Sequence, residues 1–359
     1  MKVNPSEVCS AYIQKQVKVN TNKNINRMTV KSADIFQHKF PNTNLGFCKG
    51  FTKGLMKTKL IIEQHIHGCF GVDFNKAGVN DLLSVSQELL PRGIGGFFPT
   101  LVTDSIDNLK RQIGVINEAA QKQSGACAKI LGIHLEGNFI NPEKKGIHNP
   151  KHFLELTKEN YSKLDDDFIK IVTLAPELDI NLIDYLKTKN VKVQAGHCTG
   201  GDLSKCDGVT HLFNAMSGIS HRGNSTSVSA LVNDNLYTEV IADGVHLSDD
   251  ILNLTFRTKP EDKIILISDA LPVTHSNIKE TYFADEKIYY DGVKATSKDG
   301  TLAGSTTLVP DIVKILGQKN MFKPKYVENV YDYHKLDIDG SIEWDNNFNI
   351  ISVSTKYKP

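Results

Sequence analysis

Several common signatures are missing from this sequence of 359 residues. No apolar run approaches the length of about 18 residues that a membrane-spanning helix needs, so we expect no membrane partner. Lysine and arginine number 42 against 41 acidic residues, so the chain lacks the basic excess that is typical of nucleic-acid-binding proteins. The start of the chain lacks the apolar segment of a secretory signal, and we therefore predict a cytoplasmic protein.

Motifs for two common catalytic strategies are also absent. The chain has no Gly-x-x-x-x-Gly-Lys phosphate loop and no nucleophile elbow, which argues against the enzyme classes that depend on them. Its six cysteines contain no Cys-x-x-Cys pair, and in a chain of this size they indicate reduced thiols rather than a disulfide framework. The remaining composition, with 40% apolar and 23% charged residues, is that of an ordinary globular protein.

A repeating unit runs from about residue 60 to 317, in which a short apolar run is usually followed by an amphipathic stretch of helical length. Eight such runs predict parallel strands, and their number and spacing match an α/β fold of the (β/α)₈ TIM-barrel type. The gap between Ala195 and Val209 leaves room only for a very short crossover, so a doubly wound open sheet is the structural alternative. The predicted strands are 60–66, 93–101, 129–135, 168–175, 191–195, 209–213, 237–242 and 263–268.

Towards the C-terminus the pattern changes to an alternation of apolar and polar residues. Residues 336–338 and 342–344 alternate around Asp339-Gly340, which predicts a β-hairpin, and residues 348–353 predict a further strand. Residues 1–59 are polar, rich in asparagine and lysine, and predict short edge strands. We infer a small β-domain built from both ends of the chain.

Residues of metal-binding type stand at the C-terminal ends of the predicted strands, which in a barrel converge on one face. A His-x-His pair alone is weak evidence, but on a strand its two rings project from the same side and can reach one ion. His134 shares this level, and we interpret it as a packed structural histidine. The candidate ligands, of types that zinc or iron accepts, are His65, His67, Glu136, His197 and His211.

Asp269 follows the eighth apolar run directly. A carboxylate at the end of a buried strand, beside a metal-activated water, is placed to act as general base and then as general acid. The alternative interpretation is an aspartate that caps the next segment through backbone N–H groups. The number of metal-type residues at equivalent positions favours the catalytic role.

A second set of residues suits an anionic substrate. Arg222 has the forked geometry that matches phosphate or carboxylate, and His246 is placed to assist it. The turn between Gly300 and Gly304 is predicted to form one wall of the pocket. The candidate substrate-binding residues are His148, Asn214, Ala215, Arg222, His246 and Leu302.

Eight motifs that occur in a fixed order make the functional signal specific. They are Gly-Ile-His-Leu-Glu-Gly (132–137), Lys-Lys-Gly-Ile-His (144–148), Thr-Leu-Ala-Pro-Glu (173–177), Ala-Gly-His (195–197), Thr-His-Leu-Phe-Asn-Ala-Met (210–216), Ile-Ala-Asp-Gly-Val-His (241–246), Ser-Asp-Ala (268–270) and Asp-Gly-Thr-Leu-Ala-Gly-Ser (299–305). Across roughly residues 60–310 the chain closely resembles the N-acetylglucosamine-6-phosphate deacetylase family of metal-dependent amidohydrolases.

This resemblance implies a (β/α)₈ barrel over residues 60–319 and a small β-sandwich made from residues 1–59 and 320–359, usually in a homodimer. It implies hydrolysis of N-acetylglucosamine 6-phosphate to glucosamine 6-phosphate and acetate in amino-sugar catabolism. One or two divalent ions, zinc or iron, are implied as cofactors, because some members replace the His-x-His pair and keep one metal.

The resemblance also assigns roles by position. Glu136, His197 and His211 match the metal ligands, and the presence of His65 and His67 allows a second metal site. Asp269 matches the catalytic acid/base, and His148 the residue that helps to polarise the substrate carbonyl. The positions that match sugar-phosphate contacts are Asn214, Ala215, His246 and Arg222, the last of which reaches across the dimer in family members.

The chain departs from the family pattern in four places. Glu63 stands where an aspartate is usual, and Asn138 where a proline normally follows Glu-Gly. The connection from His197 to His211 and the segment after Ser305 are shorter than the family pattern. Two alternatives to the deacetylase therefore stay open: another amidohydrolase, such as a D-aminoacyl deacetylase or a deaminase, and a barrel that binds a sugar phosphate without turnover.

Overall fold

The structure is a computed structural model that describes residues 56–355. The edge strands predicted before residue 56 lie outside the described residues. Within the described range, no helix has both the length and the apolar character needed to cross a membrane. The predicted cytoplasmic location stays a prediction.

A parallel sheet forms the body of the described chain and confirms the predicted α/β barrel. Within residues 56–355 its eight main strands follow one another around the sheet in chain order. They are β1 (Ile61–Ile66), β2 (Ile94–Val102), β3 (Ile133–Glu136), β4 (Ile169–Leu174), β5 (Lys192–Ala195), β6 (Gly208–Val209), β7 (Tyr237–Val240) and β8 (Ile264–Leu266). A short strand, Lys129–Ile130, also pairs with β2.

The sheet closes between its first and last strands just beyond β8. Ile66 and Ala270 form a parallel bridge, and the Asp269 N–H donates to the carbonyl oxygen of His65 at 2.9 Å. The N–H of His67 donates to the carbonyl oxygen of Ala270 at 2.9 Å. Closure therefore takes place at the carboxyl end of the strands, and it places the residues after β1 and β8 side by side.

Amphipathic helices cover the outside of the sheet. In the predicted helix at 105–123, Leu109, Ile113 and Ile116 are buried at helical spacing, and the Ser105 hydroxyl caps the first turn by accepting from the N–H of Asn108. The helices are α1 (Val79–Leu89), α2 (Ile106–Lys122), α3 (Lys158–Ser162), α4 (Asn181–Thr188), α5 (Thr226–Val232), α6 (Asp249–Thr258), α7 (Val309–Gln318) and α8 (Lys325–His334).

The connection between β5 and β6 is as short as the sequence predicts. Its regular structure is a single turn of 3₁₀ helix, Leu203–Lys205. The carboxylate of Asp207 accepts the N–H of Val193 at 3.0 Å and ties the connection back to β5. The barrel thus forms without a full crossover helix at this point, and the open-sheet alternative is wrong.

An antiparallel sheet inserted after β8 was not predicted from the sequence. Its strands are Glu280–Phe283, Glu286–Tyr290, Ala295–Ser297 and Leu302–Gly304. Its buried side chains include Phe283 and Ala303, which pack with Leu271 and other residues at the barrel mouth. The strands have only three to five residues, so their alternation gives only a weak signal. The segment predicted as a turn wall between Gly300 and Gly304 is the last strand of this sheet.

The hairpin predicted around Asp339-Gly340 is wrong. Its two strands are instead Gly340–Trp344 and Ile350–Thr355, and Met56–Lys59 pairs with the first of them. The turn lies at Asp345, whose carboxylate Oδ1 accepts the N–H groups of two turn residues at 2.8 Å each.

The segment 320–359, predicted as part of the small β-domain, also contains helix α8. Its Tyr331 hydroxyl donates to the carbonyl oxygen of Leu60 at 2.7 Å. The Asn329 amide donates to the carbonyl oxygen of Ile264 at 2.8 Å. Helix α8 thus covers the amino end of the barrel strands. The predicted division of the chain at residues 59 and 320 stays a prediction.

The described cysteines are buried free thiols, as predicted. Burial raises the pKa of Cys198 and of Cys206 to about 12, so both thiols are protonated at neutral pH and unreactive. Cys69 and Cys198 lie next in sequence to the candidate site and show no sign of a ligand role. Cys9 and Cys48 lie outside the described residues.

Candidate active site

A cavity of about 350 Å³ opens at the carboxyl end of the barrel strands. This is the face on which TIM-barrel enzymes build their sites. Its lining contains most of the residues singled out from the sequence: His67, Glu136, His148, His197, His211, Asn214, Ala215, His246, Asp269 and Leu302. His65 lies fully buried beneath it.

Glu136, the last residue of β3, stands at the centre of this site. Its carboxylate oxygen Oε2 lies 2.9 Å from Nε2 of His67 and 3.1 Å from Nε2 of His65. The other oxygen, Oε1, lies 2.9 Å from Nε2 of His211 and 3.4 Å from Nε2 of His197. The two oxygens of one carboxylate therefore face two separate histidine pairs.

The first pair comes from the end of β1, where two residues of separation place both rings on one face. The Nε2 atoms of His65 and His67 are 3.3 Å apart. Oδ1 of Asp269 lies 3.4 Å from the first and 3.2 Å from the second. Closure of the barrel between the first and last strands produces this contact.

The second pair follows β5 and β6, and its Nε2 atoms are 3.1 Å apart. His197 and His211 both have positive φ angles, 48° and 32°, and Asp269 has a φ of 53°. Residues other than glycine rarely adopt this conformation, and it costs of order 1–3 kcal/mol per residue. Its concentration at one cavity is typical of a functional site, and no sequence pattern predicted it.

The hydrogen bonds behind two of the histidine rings orient them in a way that fits a metal ion. Nδ1 of His197 lies 2.8 Å from the carbonyl oxygen of Lys144, and Nδ1 of His65 lies 3.0 Å from Oε2 of Glu239. Both oxygens accept, so each Nδ1 carries a proton, and Nε2, the atom that faces Glu136, is the one left to bind a cation. The nitrogen and oxygen atoms gathered here are of the type that zinc or iron accepts.

The electrostatics of the cluster agree with that fit. Burial opposes the charge of the Glu136 carboxylate, but His65, together with hydrogen bonds from His197 and His211, holds its pKa well below the ordinary value. Burial also opposes charge on His65, yet Glu136 and Glu239 raise the pKa of that ring well above its ordinary value. The site therefore favours positive charge at its centre, which a divalent ion supplies.

His148 lies beside this cluster, and its pKa is shifted in the opposite direction from that of His65. Its Nδ1 is 2.7 Å from the Thr103 hydroxyl, and its Nε2 is 4.0 Å from Oε2 of Glu136. Burial and the neighbouring His197 hold the pKa of His148 well below its ordinary value. The ring is therefore neutral at pH 7 and faces the cavity.

Asp243 and His246 form an ion pair at the cavity wall, with Oδ2 and Nδ1 2.8 Å apart. Asp243 also accepts the N–H groups of Val245 and His246 at 2.9 Å each. Burial opposes both charges, but the pairing lowers the pKa of Asp243 to about 2 and raises the pKa of His246. The pairing therefore favours the charged form of His246 at the wall, which suits an anionic group.

The remaining predicted substrate contacts divide into two groups. Asn214, Ala215 and Leu302 line the cavity. Arg222 lies in an exposed loop between β6 and α5 and is not among the residues lining it. Its assignment as a phosphate contact stays a prediction.

Three residues that contact the site residues or line the cavity were not predicted from the sequence. Thr103 fixes the His148 ring, Glu239 contacts His65, and Phe283 lines the cavity with its ring 5.2 Å from that of His67. Glu239 is the only residue of this group with a visible signal, a carboxylate inside the seventh apolar run. Phe283 belongs to the inserted sheet, which the sequence did not reveal.

The position of Gly137 beside the site predicts how a substitution there changes the stability of the protein. Its φ is +146°, and an added Cβ would lie 2.0 Å from Oγ1 of Thr103 and 2.8 Å from Nδ1 of His148. We expect Gly137→Ala to lower the free energy of unfolding by more than about 2 kcal/mol, because backbone strain and overpacking add at one point. Gly114→Ala is the control, since its Cβ meets nothing within 4 Å in a helix. Equal stabilities of the two variants in urea titrations would contradict this prediction.

Sequence comparison gives the relatives of this chain. It is similar to the N-acetylglucosamine-6-phosphate deacetylase of Bacillus subtilis (strain 168), with 35% identity over 260 residues, or 68% of this chain and 65% of that enzyme. The chain belongs to the N-acetylglucosamine-6-phosphate deacetylase family. It is also similar to the N-acetylgalactosamine-6-phosphate deacetylase of Escherichia coli O157:H7, with 28% identity over 294 residues, or 78% of each chain. The match thus spans just under two thirds of the Bacillus enzyme's length, and no protein-family model matches the chain.

A solved structure of the family has the same fold. The crystal structure of N-acetylglucosamine-6-phosphate deacetylase from Pasteurella multocida superposes with a TM-score of 0.75 at 25% sequence identity. The superposition covers 84% of this chain and 86% of that one. The predicted barrel with small antiparallel sheets is therefore confirmed as the family architecture.

Proposed function

We propose that this protein hydrolyses N-acetylglucosamine 6-phosphate to glucosamine 6-phosphate and acetate. The observation that carries the proposal is the Glu136 carboxylate, with each oxygen facing a histidine pair and with Asp269 beside it. A metal-dependent amide hydrolase needs this combination of ligands and an acid/base group. The names of the relatives point to a phosphorylated amino sugar as the substrate.

Glu136, His197 and His211 would hold one divalent ion, and His65 and His67, together with Glu136, a second. When bound, zinc or iron supplies Lewis acidity that activates a water molecule and polarises the amide carbonyl. Asp269 takes the proton of the attacking water at its carboxylate. It then returns that proton to the departing nitrogen, because an amine leaves an amide poorly without one.

His148 and His246, which both line the cavity, supply the remaining chemistry. A hydrogen bond donated by the Thr103 hydroxyl to Nδ1 of His148 would leave an Nε2–H to hydrogen-bond the substrate carbonyl oxygen as negative charge develops there. His246, charged through Asp243, binds the phosphate and orients the sugar. Asn214, Ala215 and Leu302 contact the sugar ring from the cavity wall.

Arg222 completes the phosphate site in this proposal from the partner subunit of a homodimer. Its exposed position outside the cavity supports this arrangement, because the side chain is available to a second copy of the chain. In a dimer the forked guanidinium would bind the phosphate oxygens in two places.

A second candidate substrate differs from the first in its sugar. The Escherichia coli relative is named for N-acetylgalactosamine 6-phosphate and matches a larger share of this chain than the Bacillus enzyme does. The two sugars differ only in the configuration at C4. A second candidate substrate is therefore N-acetylgalactosamine 6-phosphate, with the same residues in the same roles.

A substrate panel tests the proposal against its alternatives. Acetate release is measured with N-acetylglucosamine 6-phosphate, N-acetylgalactosamine 6-phosphate, unphosphorylated N-acetylglucosamine and an N-acyl-D-amino acid. We expect kcat/KM to be highest for the first compound and far lower for the unphosphorylated sugar. Preference for the N-acyl-D-amino acid would favour another amidohydrolase, and binding without acetate release would favour a non-catalytic barrel.

The pH dependence of substrate binding reports on His246. Asp243 raises the pKa of His246, so the charge that binds phosphate is present at low pH and is lost as the pH rises through that raised pKa. We expect KM to rise there, above the ordinary imidazole pKa of 6.5, where the phosphate is mostly a dianion. His246→Gln is the matched variant, with a higher KM and a flat profile over the same range. The same pH-dependent rise in KM in both proteins would refute this role.

A further inference from the structure

We propose that Glu239 is a positioning residue of the candidate metal centre, because its carboxylate holds one ligand from each side of Glu136. The inference rests on the metal centre of the proposed function. It does not depend on which sugar the protein hydrolyses. Nothing in the sequence motifs assigns a role to this residue.

The contacts of Glu239 span the interior of the barrel. Its Oε2 lies 3.0 Å from Nδ1 of His65 and accepts the N–H of His211 at 3.3 Å. Its Oε1 accepts the side-chain amide of Gln64 at 2.6 Å. Residues 64 and 65 lie on β1, 211 follows β6, and Glu239 itself lies on β7, so one carboxylate joins three parts of the barrel.

The position of this carboxylate decides which atom of His65 faces the centre. Glu239 is 1% exposed, and its oxygen can only accept the ring proton, which fixes that proton on Nδ1. Nε2 is then the ring atom that faces Oε2 of Glu136, 3.1 Å away, and it is the atom available to a cation. Carboxylates behind metal-bound histidines work in this manner, fixing the tautomer and raising the basicity of the ligand.

The contact with His211 extends the effect to the second histidine pair. The His211 backbone has a positive φ of 32°, a conformation that needs support from its surroundings. The hydrogen bond from its N–H to Glu239 supplies such support at the residue itself. Glu239 therefore acts on His65 through the ring and on His211 through the main chain.

A chain of hydrogen bonds in turn holds the Glu239 carboxylate. Gln64, which donates to Oε1, has its own amide oxygen 3.1 Å from Nε2 of His334. The His334 ring stacks on Phe98 with centroids 4.6 Å apart. The carboxylate is thus connected through β1 to helix α8 at the amino end of the barrel.

Metal binding by purified, metal-free protein tests this inference without substrate. Cobalt(II) affinity and absorption spectra are recorded for the wild type, Glu239→Gln and Asp207→Asn, with thermal unfolding as the check on folding. Asp207→Asn is the control, because this carboxylate accepts a backbone N–H on β5 and touches no candidate ligand. We expect Glu239→Gln to bind cobalt about 10- to 100-fold more weakly than the other two and to show an altered visible spectrum.

The conservative variant Glu239→Asp keeps the charge and shortens the side chain. We expect its affinity to lie between those of the wild type and Glu239→Gln, and it carries the test if the glutamine variant does not fold. Wild-type affinity and spectrum in a folded Glu239→Gln protein, or in Glu239→Asp when the glutamine variant fails to fold, would overturn the inference. Absence of acetate release by the wild type, with the cobalt result as expected, would overturn the proposed function alone.

Discussion

Replacing Asp269 by asparagine is expected to lower kcat for acetate release by a factor of about 10²–10⁴, the usual contribution of a positioned acid/base group. The amide has nearly the same shape as the carboxylate. It cannot accept a proton from water or return one to the departing amine. Oδ1 of Asp269 lies 3.2 Å from Nε2 of His67, so the carboxylate is next to the place where water would be activated.

The Asp269→Asn test requires that metal binding be followed alongside turnover. We expect the variant to retain the metal content of the wild type, because Glu136 and the histidines are unchanged. Asp250→Asn is the control, since Asp250 is exposed in the first turn of α6. Near-normal turnover by a metal-loaded Asp269→Asn protein would rule out the acid/base role and leave the capping interpretation.

Replacing Glu136 by glutamine is expected to remove metal binding almost completely. Each carboxylate oxygen contacts a different histidine pair, at 2.9 Å in both cases. A glutamine presents one oxygen and one NH₂ group, and the latter is a donor that cannot bind a cation. The loss should exceed the factor of about 10–100 that is typical for groups that only support the ligands.

Elemental analysis after dialysis against metal-free buffer measures this effect. Glu143→Gln is the matched control, because Glu143 lines the same cavity, is exposed, and is not part of the histidine cluster. We expect the control to keep its metal and its activity. A Glu136→Gln protein with the metal content of the wild type would show that the ligands lie elsewhere.

The barrel and the centre of the site could be predicted from the sequence because both follow from repetition. Eight apolar runs of similar length indicate parallel strands, and parallel strands in a barrel bring their carboxyl ends to one face. Any polar residue at such an end is therefore near all the others. For this reason Glu136, His197 and His211 lie close together in the structure, although up to 75 residues separate them in the chain.

Other features depend on contacts that no local pattern specifies. Glu239 reaches His65 across 174 residues of sequence, and inside an apolar run it looks like a packed strand residue. The hairpin turn forms at Asp345, whose carboxylate accepts two backbone N–H groups, and not at Asp339-Gly340. The sheet that carries Phe283 consists of strands of three to five residues, too short for alternation to stand out.

The central claim is that this site hydrolyses an amino-sugar phosphate by means of a metal ion. The most direct measurement is acetate release from N-acetylglucosamine 6-phosphate by protein treated with a chelator and then supplied with zinc or iron. We expect no release after chelation and full recovery once zinc or iron is restored. No release from protein that demonstrably contains metal would contradict the claim.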